Sequence, residues 1–360
     1  MCQSAFFHDR SSIHGMCLGS AAHLVPTLAD STDTMRHKVY TVLFLLVCSI
    51  LVRIYFVRVT GVMDKTTTED YHNHPRVELL QQQTTHSPNV AVQRKHITLN
   101  FQGRLGNLMF EYASLYGISR KNNLTAVVPR TLSLFNYFNL TAEKSNNVQA
   151  YSTTYIEKRG CAFEPEAMQL GNGNDVRLEG YFQSWKYFQF VEKELRHILK
   201  WKESTFRQAN DVFRNLVQYK QDSIYIGVHV RRGDMVHSAH MVNYGYISAD
   251  KGYLDKALTY YRSKFKNVSF IVVSDDVKWC DENIKGEDVH ILRKNNSPEV
   301  DMAILTLCNH TVITSGSFGW WSAWLAGGEV VYYKGYPRPG SKLFELLVPD
   351  DYRPPSWIGM

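Results

Sequence analysis

From residue 97 to its C-terminus the chain alternates short apolar runs with stretches of helical period, and this alternation constrains its fold more than any other feature. Ile97–Phe101, Thr125–Val128, Ile224–Val230, Val268–Ser274, Val289–Leu292, Thr311–Thr314 and Glu329–Tyr333 read as strands, several of them β-branched. Between them Met109, Tyr112, Ala113 and Tyr116 recur at i, i+3, i+4 and i+7, and Leu254, Ala257, Leu258 and Tyr261 follow a similar period. Ser297-Pro298 marks a helix start, and Gly327-Gly328 ends a helix beginning near Phe318. Strand–helix alternation implies parallel sheets covered on both faces. A long helical stretch over 186–218 separates two groups of strands. The expected class is therefore α/β, with an N-terminal α/β domain at 97–222 and a C-terminal one at 223–360. A cleft between two such domains, at the carboxyl ends of their strands, is a natural ligand site.

The first 96 residues are built differently. Residues 39–52 read VYTVLFLLVCSILV, without a charge. Taken to residue 57, with Arg53 included, the stretch has 19 residues, near the roughly 20 needed to cross a bilayer. An Arg close to one end can snorkel to the headgroups. No Ala-x-Ala cleavage pattern follows it. The expectation is a single transmembrane signal-anchor at 39–57, a cytosolic tail at 1–38 that begins without any periodic pattern, and a flexible, polar stem at 58–96. Arg36, His37 and Lys38 before the run nearly balance Arg53 and Arg58 after it. The position of the anchor, ahead of the bulk of the chain, favours a luminal body. Asn-x-Ser/Thr sequons at Asn123, Asn139, Asn267, Asn295 and Asn309 fit that side of the membrane. Asn309 lies between two apolar runs, which would bury it. Tail, anchor and stem are the layout of a type II enzyme of the Golgi membrane.

Composition excludes several classes. At 44% hydrophobic and 21% charged residues the chain suits a folded globular body. A net charge of +6 over 360 residues is too mild to indicate a nucleic-acid binder. Six cysteines are too few for a disulfide scaffold. The sequence contains no CxxC, HExxH or DxD, so neither the usual zinc pairs nor a metal–nucleotide carboxylate pair is written in it.

Three loops carry candidate chemistry. Phe101–Met109 passes from a strand into a helix with Gly103 and Gly106 at the turn, where backbone can approach a ligand and a helix N-terminus favours anions. A plain strand-to-helix turn would use glycine too. The strand Ile224–Val230 carries His229 and runs into Arg231, Arg232 and Asp234. Adjacent guanidiniums at a buried strand end need anions, and Arg is suited to bidentate phosphate binding. An Arg232–Asp234 pair closing the turn would account for one of them. The third loop places Ser315, Gly316 and Ser317 at the start of the helix near Phe318, a phosphate seat or an ordinary Ser N-cap. Asp275-Asp276, ending a strand, are consecutive carboxylates that could bind a metal or a ribose, but without DxD spacing they read as a non-metal role such as strand-end capping. Asp301 sits in a first helical turn, as a dipole partner or a nucleotide acceptor.

Four segments then resemble one family, the galactoside alpha-1,2-fucosyltransferases: GRLGNLMFEYASLYGIS (103–119), GVHVRRGD (227–234), VSDDVKWCDENI (273–284) and DMAILTLCNHTVITSGSFGWWSAWLAGG (301–328). They fall in the family's order, and the resemblance covers roughly 97–345. It implies two facing Rossmann-like domains of the GT-B type, with acceptor on the N-terminal side and donor mainly in the C-terminal domain. It implies GDP-fucose as donor, a galactose-terminated glycan as acceptor, inversion at the anomeric carbon, and neither cofactor nor metal. By that resemblance His229 contacts the nucleoside, Arg231 the β-phosphate, and Arg232 supports the site. Asp301 reads guanine or ribose, and Ser315, Ser317 and Phe318 line the phosphate pocket. Gly103, Arg104, Gly106 and Asn107 face the fucose. Leu108 departs from the Gln the family commonly carries after Gly-Asn, which bears on acceptor preference. A general base is required, and Glu111 and Asp234 are its candidates. Rival readings are a protein O-fucosyltransferase and a non-catalytic glycan-binding relative in the Golgi.

Overall fold

Parallel pairing organises the chain into two sheets, as the alternation predicts. The computed structural model describes residues 95–148, 151, 153–218, 222–293 and 295–360; the expected tail and anchor, and all but the last residues of the stem, lie outside the described residues. The first sheet holds β1 (His96–Leu99), β2 (Thr125–Pro129), β3 (Glu143–Ser145), β4 (Thr153–Ile156) and β5 (Val176–Glu179) in the order β3-β2-β1-β5-β4. Every pairing in it is parallel, with Ile97 opposite both Ala126 and Val176. The second holds β6 (Ile224–Val230), β7 (Val268–Ser274), β8 (Val289–Ile291), β9 (His310–Ile313), β10 (Val330–Tyr332) and β11 (Ile358–Gly359) in the order β11-β10-β9-β6-β7-β8, again parallel. Read from β8, this is the order of a doubly wound nucleotide-binding sheet, whose strand order reverses beside its first strand. The reversal falls between β6 and β9 in the second sheet and between β1 and β5 in the first. Crevices open at those points, outside the carboxyl ends of the strands.

The crossovers carry α1 (Leu105–Asn122), α2 (Glu192–Ile198), α3 (Glu203–Val217), α4 (Gly233–His237), α5 (Ala239–Tyr244), α6 (Lys251–Lys264), α7 (Val277–Asn283), α8 (Pro298–Thr306) and α9 (Gly316–Ala326), and α10 (Lys342–Leu346) and α11 (Pro349–Tyr352) precede β11. Helix α9 is apolar nearly all round and is accordingly buried. Its Trp320 and Trp321 meet Phe110 of α1 with ring centroids 4.5 and 5.2 Å apart, and Phe188 stacks on Trp321 at 5.7 Å. Leu343, Leu347 and Tyr352 join the same core as Ile97 and Leu99, and Trp320 Nε1–H donates to the Tyr352 carbonyl at 2.7 Å. The core under the first sheet is thus completed by the last part of the chain.

Two features differ from the sequence expectation. Strands β3, β4, β5 and β11 carry no clear apolar run; β3 and β4 are edge strands with mostly exposed side chains. The stretch 186–218 is also not one helix: short turns at Trp185–Tyr187 and Gln189–Val191 precede α2, and the chain breaks before α3. Trp201 explains the break. Its ring lies 4.6 Å from Phe138, its Nε1–H donates to Thr306 at 3.0 Å, and Lys202 N–H donates to the Tyr137 carbonyl at 2.8 Å. These bonds divert the chain toward β2's connection and away from a continuing helix.

Candidate active site

The seven residues of β6 end in a cluster of paired charges. Arg231 and Arg232 follow the strand at 20% and 15% side-chain exposure, so each guanidinium requires a partner. Arg231 bonds Asp234 and Asp275, while Arg232 bonds Asp276 at 3.0 Å and lies 4.1 Å over the Trp279 ring. The turn pair expected between Arg232 and Asp234 is therefore corrected: Asp234 belongs to Arg231, and both arginines have carboxylates. Asp275 and Asp276 do more than end β7. Asp275 also accepts the Arg232 N–H at 2.8 Å, and Asp276 caps α7 by accepting from Trp279 N–H at 3.1 Å. Burial lowers the Arg231 pKa against the opposing pull of Asp234. His229 is 6% exposed, its ring stacks on Phe318 at 5.0 Å, and its Nδ1 has no hydrogen-bond partner. Burial, aided by Arg231, pushes its pKa down to about 3, so the imidazole is neutral.

The loop after β9 lies against this strand. Arg231 N–H donates to Thr314 Oγ1 at 2.9 Å, and Thr314 N–H to the His229 carbonyl at 3.2 Å. Ser315 occupies the N-cap position of α9 without making a side-chain capping bond; its hydroxyl donates to Met235 Sδ at 3.2 Å. The ordinary Ser cap is thus not formed, so the Ser315 side chain does not satisfy the first-turn N–H groups of this eleven-residue helix, the end of a helix that favours anions. Gly316 takes φ +84° at this turn.

From the first sheet, α1 brings its N-terminus to the same place. A Cβ on Gly106 would lie 2.7 Å from the Phe318 nitrogen and 2.7 Å from the Ser317 carbonyl carbon, so only glycine allows this approach. Ser317 Oγ–H donates to Asn107 Oδ1 at 2.6 Å, and Gln183 Nε2–H donates to the same atom at 3.0 Å. Arg104 reaches Asp234 at 3.8 Å and is otherwise exposed. Gly103 takes φ +88° at the turn. His229, Arg231, Arg232, Asp234, Ser315, Gly316, Ser317, Phe318, Arg104, Gly106 and Asn107 are therefore brought together at the two points where strand order reverses.

Glu111 is corrected as a base. It is 0% exposed and both its oxygens accept the Gln102 N–H, at 3.2 and 3.1 Å. Burial, offset by that bond and reinforced by Glu157, pushes its pKa up to about 9. A sequestered carboxyl that keeps its proton at neutral pH does not take one from a substrate; it holds the loop before Gly103. Asp234 is held in its arginine pairs. Asp301 accepts from Asn296 Nδ2–H at 2.9 Å at the start of α8, on the same rim but outside these contacts, and burial raises its pKa. Asn123, Asn139, Asn267 and Asn295 are exposed, as is Asn309, contrary to the expected burial; Asn309 Oδ1 nonetheless accepts the Tyr225 N–H at 2.9 Å. Thr314, Trp279 and Gln183 were not foreseen as parts of the site. Trp279 and the aspartates lay within a family segment, whereas Gln183 has no signal in the sequence.

Residues 69–360 match glycosyl transferase family 11, and the chain belongs to this family. Among its relatives, galactoside alpha-(1,2)-fucosyltransferase 2 of Sus scrofa is 35% identical over 291 residues, covering 79% of this chain and 85% of the relative. Galactoside 2-alpha-L-fucosyltransferase SEC1 of Bos taurus is 33% identical over 303 residues, covering 81% and 82%. Among solved structures, NodZ alpha-1,6-fucosyltransferase soaked with GDP-fucose has 13% identity and a TM-score of 0.48, covering 68% of this chain and 97% of that one. The protein is a glycosyltransferase, of the family that its four sequence segments resemble.

Proposed function

We propose that the protein transfers L-fucose from GDP-fucose to the 2-hydroxyl of a terminal galactose, with inversion and without a metal ion. The observation that carries this reading is Arg231 beside the first turn of α9, which Ser315 leaves uncapped, with Asn107 and Gly106 brought against that turn from the first sheet. The names of the curated relatives supply the donor sugar and the acceptor class. As the glycosidic bond breaks, negative charge grows on the departing diphosphate. Arg231 and the helix N–H groups stabilise it, and fixed donors of this kind contribute on the order of 3–4 kcal/mol each. His229, neutral and stacked on Phe318, has its Nδ1 packed against Gly319 of α9, so it holds the end of β6 against the helix start on which the diphosphate would sit. Arg232, locked by Asp276 and Trp279, keeps the loop in register.

The same proposal places residues 39–57 in the Golgi membrane with the body in the lumen, in support of which all five sequon asparagines are exposed. The test is GDP release by the full-length protein in detergent with GDP-fucose and a panel of galactosides, with product linkage read by an alpha-1,2-specific fucosidase. Galactoside-dependent release that persists in chelator is expected. Release without a galactoside requirement, or activity lost in chelator and restored by Mn²⁺, refutes the corresponding part. Peptide N-glycosidase treatment of the cellular protein should shift its mobility; an unshifted, unglycosylated body would place it on the other side of the membrane.

A further inference from the structure

Asn107 is held from two sides at the crevice, and its partners decide which end of its amide a ligand meets. It lies half-buried in the first turn of α1, and its Oδ1 accepts from Ser317 Oγ–H at 2.6 Å and from Gln183 Nε2–H at 3.0 Å. A carbonyl oxygen has two lone pairs, so its acceptor capacity is used. The nitrogen end is left as a pure donor. Nδ2 has no hydrogen-bond partner among the described residues. It lies against the exposed Gly103 turn, where a Cβ on that glycine would run into it.

Gln183 sets the direction of this arrangement. Its own Oε1 accepts from Cys161 Sγ–H at 3.3 Å. Burial, reinforced by Glu157 and opposed by Arg353, pushes the Cys161 pKa up to about 12, so the thiol keeps its proton and donates. With Oε1 turned to the thiol, Nε2 faces Asn107, and Asn107 must answer with its oxygen. The backbone holds Gln183 in place by unusual means. The turn after β5 passes through Gly180 at φ +140° and Phe182 at φ +47°, and Cys161 stands at φ +59°. Left-handed backbone is rare for a bulky residue such as Phe and persists where the surroundings over-determine it. Phe182 is 0% exposed, and its carbonyl accepts Ser114 Oγ–H at 2.8 Å and Ser184 N–H at 2.9 Å. Ser184 Oγ–H in turn donates to the Asp351 carbonyl at 2.6 Å.

We propose that Gln183 is a positioning residue: with Ser317 it holds the Asn107 amide so that the Nδ2–H groups face the crevice, where they donate to an oxygen of the fucosyl group. The inference rests on the fucosyl-transfer reading. Because Asn107 is bonded to Ser317 in the first turn of α9, its free donor stands next to the phosphate seat, where a sugar joined to the diphosphate would lie. Ring and glycosidic oxygens only accept hydrogen bonds, so the observed orientation suits them, and the reversed amide would set oxygen against oxygen.

The test uses the full-length protein in detergent, with donor kinetics at saturating galactoside and GDP binding by calorimetry. Gln183→Glu puts an acceptor where Nε2–H donates, which turns the Asn107 nitrogen away from the crevice. For this variant kcat/KM for GDP-fucose should fall about 10²-fold, while GDP, which lacks the sugar, should bind within about twofold of wild type. The same substitution made in Asn107→Ala should cost less than about twofold further, because Gln183 then has nothing left to orient. A merely structural role would cost as much in both backgrounds, and that result overturns the proposal; so does a Gln183→Glu protein that transfers fucose near the wild-type rate. If Gln183→Glu does not fold, Gln183→Met, uncharged and of similar length, is read by the same comparison of backgrounds. Asn107→Asp is independent of both: it keeps the two accepted bonds and loses only the N–H donors, so kcat/KM should fall about 10²-fold or more, and near wild-type transfer overturns the proposal. Wild-type protein inactive with every galactoside would instead overturn the fucosyl-transfer reading.

Discussion

Substituting Gly106 by Ala tests whether the two sheets form one site through direct backbone contact. The added methyl would lie 2.7 Å from both the Phe318 nitrogen and the Ser317 carbonyl carbon and 2.8 Å from Ser317 Oγ. These are roughly 0.7 Å inside ordinary contact, and two of the three are backbone atoms that cannot rotate away. Overpacking of this kind costs about 1–3 kcal/mol. In a body of this size each kcal/mol lowers the melting temperature by roughly 2–4 °C, so a fall of roughly 2–12 °C is expected. The functional loss should be the larger effect. Separating α1 from α9 lengthens the 2.6 Å Ser317–Asn107 bond, and a displacement of about 1 Å in an active site can cost about 10²-fold in rate. Thermal unfolding followed by circular dichroism, with initial rates of GDP release, measures both. Gly173→Ala is the control, since a Cβ there meets nothing within 4 Å. A Gly106→Ala protein that melts within about 1 °C of wild type and keeps its rate would refute the claim that this approach is tight and needed.

Two further substitutions separate the roles of the arginines. Arg231→Lys keeps a charge but loses the fork that suits a phosphate, so kcat/KM for GDP-fucose should fall about 10²–10³-fold with little change in melting temperature; near wild-type kinetics would remove Arg231 from the phosphate. Arg232→Lys keeps a cation near Asp276 and forfeits the stack on Trp279, a contact worth about 0.5–2 kcal/mol. It should lower the melting temperature while changing donor kcat/KM less than about tenfold. The reverse ranking of the two variants would exchange their assignments.

The legible part of this molecule was the part whose physics is local. β6 and β7 are seven-residue apolar strands in the structure, bounded as their sequence pattern predicts. α1 and α6 follow their apolar periods, and α9 ends at Gly327 in the left-handed conformation. The anion site was legible because two buried arginines at a strand end are costly without partners. What those partners are was not. Asp275 lies 44 residues from Arg231 in the chain and becomes its neighbour only through the parallel register of β6 with β7, in which Val230 faces Ser274. Glu111 misled for a related reason. Its place in the first loop's helix suggested access to substrate, whereas the helix face that carries it is buried beneath Gln102.

The carboxylates around Arg231 have a consequence for donor binding. A phosphate that engages this guanidinium competes with Asp234 and Asp275 for the same N–H groups. Asp275→Asn isolates the effect, because the amide oxygen can still accept the Arg232 N–H that Asp275 holds at 2.8 Å. The substitution removes one negative charge next to the incoming diphosphate and one competitor for Arg231. Asp275 is 31% exposed, so screening reduces the gain from a buried charged hydrogen bond to about 1 kcal/mol, or roughly fivefold in affinity. GDP should therefore bind about fivefold more tightly to Asp275→Asn, and inorganic diphosphate should gain by a similar factor, narrowing the preference for the nucleotide only if the base contacts also weaken. Calorimetric titration with both ligands reads the two constants. Weaker GDP binding would mean that Asp275 orients Arg231 more than it competes for it, and the arginine would then depend on its aspartates for the geometry in which it meets the donor.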